Sequence, residues 1–152
     1  MKSTIGAMLI MSVCFLFSGT KVYAAIFTNG AGGLPYSGYV CMDIRGGSSL
    51  PGAVVQAWDC HGWSNQQWTM QGYTIYGIGS TGSAQNCLTV NGFAVKMNPC
   101  IVGSLSQQWY FYAGRLVNPA IGRCLDATLR SNGTPLVMNP CSSASSQQWQ
   151  IK

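Results

Sequence analysis

With 152 residues, 47% of them hydrophobic and only 7% charged, the chain is long enough to bury one core and poor in the ionisable groups that acid–base catalysis requires. The formal net charge of +5 comes from dispersed cations and not from a basic stripe, so no nucleic-acid partner is expected.

In chain order, the first 24 residues read as an address. Lys2 supplies a positive start, an apolar run extends from Ile5 to Phe17, and Val22-Tyr23-Ala24 precedes Ala25 as a small-residue cleavage pattern. A signal peptide over residues 1–24 and a secreted protein are expected, and the apolar run is too short for a membrane span. A retained anchor is the weaker alternative. Cys14 follows Val13 inside that run, a poor context for lipidation. A single domain over about residues 25–152 then keeps Arg45, Lys96, Arg115, Arg123, Arg130 and Lys152 against Asp43, Asp59 and Asp126, a net +3 with no glutamate.

Six of the seven cysteines remain: Cys41, Cys60, Cys87, Cys100, Cys124 and Cys141. Six cysteines allow 15 pairings, which sequence alone does not decide. No C-x-x-C pair occurs and His61 is the only histidine, so neither a metal site nor a cofactor is expected.

The chain repeats itself three times. Ser64-Asn65-Gln66-Gln67-Trp68 returns as Ser106-Gln107-Gln108-Trp109 and as Ser146-Gln147-Gln148-Trp149, with tryptophans 41 and 40 residues apart. Cys60, Cys100 and Cys141 keep step, and the units open alike on Cys41-Met42-Asp43, Cys87-Leu88-Thr89 and Cys124-Leu125-Asp126. Gly72-Tyr73-Thr74-Ile75 matches Gly114-Arg115-Leu116-Val117 in the same phase. The units divide at about 25–70, 71–112 and 113–152. Ala53–Trp58, Tyr73–Tyr76 and Gln108–Tyr112 are β-branched or aromatic runs, separated by Gly, Asn, Ser and Pro, and read as strands. Asn91-Gly92 and Asn132-Gly133 read as tight turns. No stretch carries helical periodicity with caps, so the class is all-β. Units of about 40 residues cannot bury a face alone and should close on one another.

Three Gln-x-Trp motifs at this spacing, each after a Cys-Leu-Asp-like strand and a paired cysteine, resemble the ricin B-type lectins, also called carbohydrate-binding module family 13. The resemblance runs from about Tyr39 to Trp149. It implies a β-trefoil of twelve strands, with one potential sugar site and one disulfide per repeat. The pairs, which the repeat itself also favours, are Cys41–Cys60, Cys87–Cys100 and Cys124–Cys141.

A pyranose is held in water by an aromatic ring against its C–H face and by a carboxylate with amides on its hydroxyls. By the resemblance, Asp43 corresponds to the hydroxyl-gripping acid, Gln56 to a polar ligand, Trp58 to the stacking platform, Asn65 to a second hydroxyl ligand, and Gln66 to the support behind the acid. The second repeat substitutes Thr89, Lys96, Asn98 and Ser106 at these positions and reads as scaffold. The third keeps Asp126 and Gln147 but has Val137, Asn139 and Ser146, so Asp126, Asn139 and Gln147 form at most a weak second site. Trp68, Trp109 and Trp149 recur in every unit, which assigns them to the core. Trp58 is replaced by asparagine in both sister units, which argues for an exposed platform. Trp63 divides evenly between flanking the site and packing on the barrel.

A binder and not an enzyme is expected, because Asp43 and Asp126 sit at equivalent places in different repeats, too far apart for a hydrolytic pair. Glycans of galactose, N-acetylgalactosamine or xylan type are the expected partners. Alternatives are a non-catalytic targeting or partner subunit of a toxin or hydrolase, a trefoil protease inhibitor, or a homo-oligomer. Asn132-Gly133-Thr134 is a glycosylation sequon. Truncation of Trp58 or Asp43 to alanine is expected to remove glycan retention and to spare the thermal melt.

Overall fold

The computed structural model describes residues 26–29, 39–78 and 85–152, with residues 26–29 described as backbone only. The expected signal peptide lies outside the described residues. Short strands and 3-10 turns account for the regular structure, and no α-helix occurs among the described residues.

Each unit is built on an antiparallel pair whose first strand carries the unit's first cysteine. In the first unit β2 (Tyr39–Ile44) pairs with β3 (Val55–Asp59), in register Cys41↔Trp58 and Asp43↔Gln56. In the second, β6 (Asn86–Asn91) pairs with β7 (Ala94–Pro99), bringing Thr89 opposite Lys96. In the third, β10 (Arg123–Asp126) pairs with β12 (Val137–Asn139), bringing Asp126 opposite Val137. Strand alternation sorts the side chains of each opening strand. Val40, Met42 and Ile44 enter the core with Leu88, Val90, Leu125 and Ala127, while Cys41 and Asp43 share the opposite face with Cys87, Thr89, Cys124 and Asp126. The same register brings the cysteines together as Cys41–Cys60, Cys87–Cys100 and Cys124–Cys141.

A second hairpin follows each tryptophan: β4 (Thr69–Gln71) with β5 (Thr74–Tyr76), and β8 (Tyr110–Tyr112) with β9 (Arg115–Asn118). β5 and β9 each go on to pair with the opening strand of the next unit. In the third unit β13 (Gln150–Ile151) pairs with β1 (Ile26–Asn29), and β1 pairs with β2. The N-terminal strand thus takes the place that β5 and β9 hold in the other units and closes the ring. These are the twelve strands of a β-trefoil. A further two-residue strand, β11 (Thr134–Pro135), ties the third unit to β3.

Trp68, Trp109 and Trp149 lie at the centre, each at most 2% exposed. Burying an indole leaves its N–H in need of an acceptor. The three Nε1 atoms donate to the carbonyls of Met42, Leu88 and Leu125, at 2.8, 2.9 and 2.9 Å. In front of each tryptophan a single 3-10 turn, Ser64–Gln66, Leu105–Gln107 or Ser145–Gln147, turns the first motif glutamine inward. That geometry explains the conserved phase of glutamine and tryptophan within the chain.

Each of the three disulfides closes a short loop within one unit. Replacing Cys87 and Cys100 together with serine is expected to lower unfolding free energy by about 2–4 kcal/mol, since the bridge closes a short loop in the unfolded chain. Urea titration of the oxidised parent and the variant measures it.

Candidate functional site

The register of β2 on β3 sets Asp43 beside Gln56, and the 3-10 turn Ser64–Gln66 brings Asn65 and Gln66 to the same carboxylate. Asp43 is only 2% exposed. Its Oδ1 accepts from Gln56 Nε2 at 2.9 Å, and its Oδ2 accepts from Asn65 Nδ2 at 2.7 Å and Gln66 Nε2 at 3.0 Å. His61 Nε2 stands 3.5 Å from Oδ2. Gln66 is itself fully engaged: Nε2 also donates to the Asp59 carbonyl, and Oε1 accepts from the backbone N–H groups of His61 and Gly62. Burial of a carboxylate without such partners would be strongly unfavourable, so the donors and the acid form one unit.

The carboxylate lies at the base of an open cleft whose walls carry Trp58, Trp63, His61, Arg45 and Asn65. Trp58, at 38% exposure, presents part of its indole to solvent. Its inner edge meets the third unit, where a Cβ built on Gly133 would stand 3.8 Å from Cζ3. Trp63 is 72% exposed and stacks obliquely on His61, with ring centroids 4.8 Å apart. All five first-repeat residues named from the sequence therefore converge: Asp43, Gln56, Asn65 and Gln66 as one hydrogen-bonded set, with Trp58 on the wall beside them.

Sequence reasoning missed two cleft residues and one loop. Arg45 stands two residues after the acid, and its Nε donates to Gln56 Oε1 at 2.7 Å. His61 follows the second cysteine and faces the acid. The loop is Ser131–Thr134 of the third unit. Asn132 Nδ2 donates to Asp59 Oδ2 at 2.8 Å, its Oδ1 accepts from the Asp59 N–H at 2.6 Å, and the Gly133 N–H donates to the Ala57 carbonyl. The sequon asparagine is thus engaged as a clamp between units. A contact across 73 residues leaves no periodic mark in sequence, although the singularity of His61 was a usable signal.

The sister units grade away from this pattern. In the second, Gln107 Nε2 donates to Thr89 Oγ1 and Thr89 Oγ1 donates to the Cys87 carbonyl, a closed scaffold arrangement without a carboxylate. In the third, Asp126 Oδ2 accepts from Asn139 Nδ2 and Gln147 Nε2, both at 3.0 Å. Asp126 Oδ1 is buried and has no hydrogen-bond partner among the described residues. Asp126, Asn139 and Gln147 therefore do meet, without an indole. Another cleft, lined by Ser49, Thr74, Tyr76, Asn86 and Gln107 among others, holds no ionised side chain.

The geometry corrects one expectation. Asp43 is a buried hub for three amide donors and not a detachable surface ligand, so Asp43→Ala would strand Gln56, Asn65 and Gln66. Its melt is expected to fall with a loss of about 2–4 kcal/mol; differential scanning calorimetry of the variant beside Asp43→Asn checks this.

Residues 36–149 match the model of the Ricin-type beta-trefoil lectin domain. Nigrin b of Sambucus nigra is 28% identical over 119 residues, which cover 74% of this chain and 20% of that protein. The chain thus spans about a fifth of the length of the curated relatives it matches first. The C-terminal half of an earthworm R-type lectin, solved in complex with GalNAc, superposes with a TM-score of 0.67 at 15% identity, covering 86% of this chain and 98% of that one. The Vibrio vulnificus hemolysin/cytolysin β-trefoil lectin, solved with N-acetyl-D-lactosamine bound, gives a TM-score of 0.65 at 21% identity, covering 86% and 94%. The likeness in structure shows the fold, and the match over residues 36–149 shows the family: this chain belongs to the ricin-type beta-trefoil lectin domain family.

Proposed function

We propose that this protein is a non-catalytic lectin that binds galactose-type or related sugars through its first repeat. The observation that carries the reading is the pairing of a partly exposed indole, Trp58, with a carboxylate, Asp43, fixed by Gln56, Asn65 and Gln66. An indole covers the apolar face of a pyranose, and a held carboxylate and amide orient its hydroxyls without having to be ordered on binding. The sugars named with the earthworm and Vibrio lectins, GalNAc and N-acetyl-D-lactosamine, favour the galactose series over xylan.

A weaker second site in the third repeat fits the meeting of Asp126, Asn139 and Gln147 there. Two shallow sites, self-association or a partner subunit would supply the avidity that single sugar sites lack. Secretion is part of the same proposal: three disulfides form and persist in an oxidising compartment. A secreted product should begin near Ala25 on N-terminal sequencing.

Retention on immobilised galactose, N-acetylgalactosamine and xylan tests the reading. Release of the oxidised protein by the matching free sugar is expected. Passage through every resin, together with an empty response on a glycan array, overturns it in favour of a protein-docking trefoil.

A further inference from the structure

We propose that Arg45 makes the first-repeat cleft selective for acidic saccharides, sugars bearing a carboxylate or a sulfate ester, over their neutral counterparts. The inference rests on the sugar-binding reading above and names the ligand class for the same cleft.

Arg45 directly follows β2 and lines the cleft with Trp58 and Asn65. Its guanidinium is anchored from two repeats: Nε donates to Gln56 Oε1 at 2.7 Å and Nη2 to the Gly133 carbonyl at 2.9 Å. Gln56 is buried, and its Nε2 donates to Asp43 Oδ1. That contact fixes the amide, because the flipped orientation would set its oxygen against the carboxylate and its N–H groups against the guanidinium. The line Asp43–Gln56–Arg45–Gly133 therefore holds a cation at a defined place on the cleft wall.

A guanidinium has five N–H donors. Two of them are engaged, and they are the fork formed by Nε and Nη2. Both hydrogens on Nη1 and the second on Nη2 have no partner among the described residues, which leaves the terminal fork available on an exposed side chain. A planar pair of N–H donors matches two oxygens of a carboxylate or sulfate, and such charge-assisted bonds are roughly twice as strong as neutral ones. Because the side chain is already anchored, little rotamer freedom is lost on binding.

Two further observations favour a role in recognition. The positions equivalent to Arg45 in the sister units are Asn91 and Thr128, so the turn itself does not require a cation. Among the residues lining the cleft the charged or chargeable groups are Asp43, Arg45 and His61. Asp43 is buried beneath its own donors at the far end of Gln56, so an anion would meet Arg45 while neutral hydroxyls meet Asn65.

Matched sugar pairs test the proposal on the oxidised protein by titration calorimetry: galactose against galacturonic acid, and N-acetylgalactosamine against its 4-sulfate and 6-sulfate. The acidic member of at least one pair is expected to bind on the order of tenfold more tightly at low salt, with the advantage shrinking as salt rises. The acidic-to-neutral ratio, read within each variant so that changes in overall affinity cancel, should fall to about one in Arg45→Gln. In Arg45→Lys, which keeps charge but lacks the fork, it should fall between the two. A preference for the carboxylate or for the sulfate alone supports the proposal and identifies the source of the anion. Equal or weaker binding of every acidic member overturns it and leaves the lectin reading intact, as does a preference that survives in a folded Arg45→Gln protein. Failure of every neutral and acidic sugar to bind overturns both.

Discussion

Trp109→Ala is expected to destabilise the protein by about 3–5 kcal/mol, the range for removing a large aromatic side chain from a packed interior. Trp109 is 1% exposed and sits among residues of more than one repeat. Its Nε1 caps the Leu88 carbonyl and its backbone N–H donates to the Tyr73 carbonyl at 2.7 Å. Truncation therefore opens a cavity and orphans a buried acceptor together. A fall in melting temperature on the order of 10–20 °C follows from the entropy of unfolding a domain of this size. Trp109→Phe should fall between, because it keeps most of the packing and loses the N–H. The second repeat has Thr89 where the others have an acid, so sugar affinity per folded molecule should be unchanged in either variant. A melt within a few degrees of the parent would show that the centre of the trefoil is packed in some other way.

Trp58→Ala should give the opposite result: loss of glycan retention with a nearly unchanged melt. The side chain is 38% exposed, and its Cζ3 edge lies beside Gly133 of the third unit. Its removal is expected to cost no more than about 1 kcal/mol of stability. Binding should weaken at least tenfold, since the ring supplies the apolar contact over which a pyranose is desolvated. Frontal affinity chromatography and a thermal melt on one preparation separate the two quantities. A melt that collapses in parallel with binding would mark Trp58 as a packing residue. Its contrast with Asp43→Ala is informative, because only the acid is expected to damage both.

The divergence between those two residues shows how far a one-dimensional pattern reaches. Three in-phase copies of cysteine, glutamine and tryptophan carried the class and the packing of Trp68, Trp109 and Trp149, and favoured the disulfide pairs that the resemblance implied, because each is governed by the register inside one unit. The convergence of Asp43 and Gln56 is of the same kind, a cross-strand pair on β2 and β3. Even the contrast between repeats was legible, since a residue absent from the sister units is not part of their shared core.

What the amino-acid sequence determined by itself was therefore what repeats, the threefold β architecture and its core, while the resemblance carried by its motifs supplied the list of first-repeat side chains. Only the tertiary structure decided how the units meet. It closed the third unit with Ile26–Asn29, brought Asn132 onto Asp59 and the Gly133 carbonyl onto Arg45, and set His61 against the acid. It also showed Asp43 buried beneath its donors. The reason is physical: contacts that follow the repeat are written into the chain three times, whereas these contacts are each made once, most of them across tens of residues, and depend on loop conformations with no periodic signature.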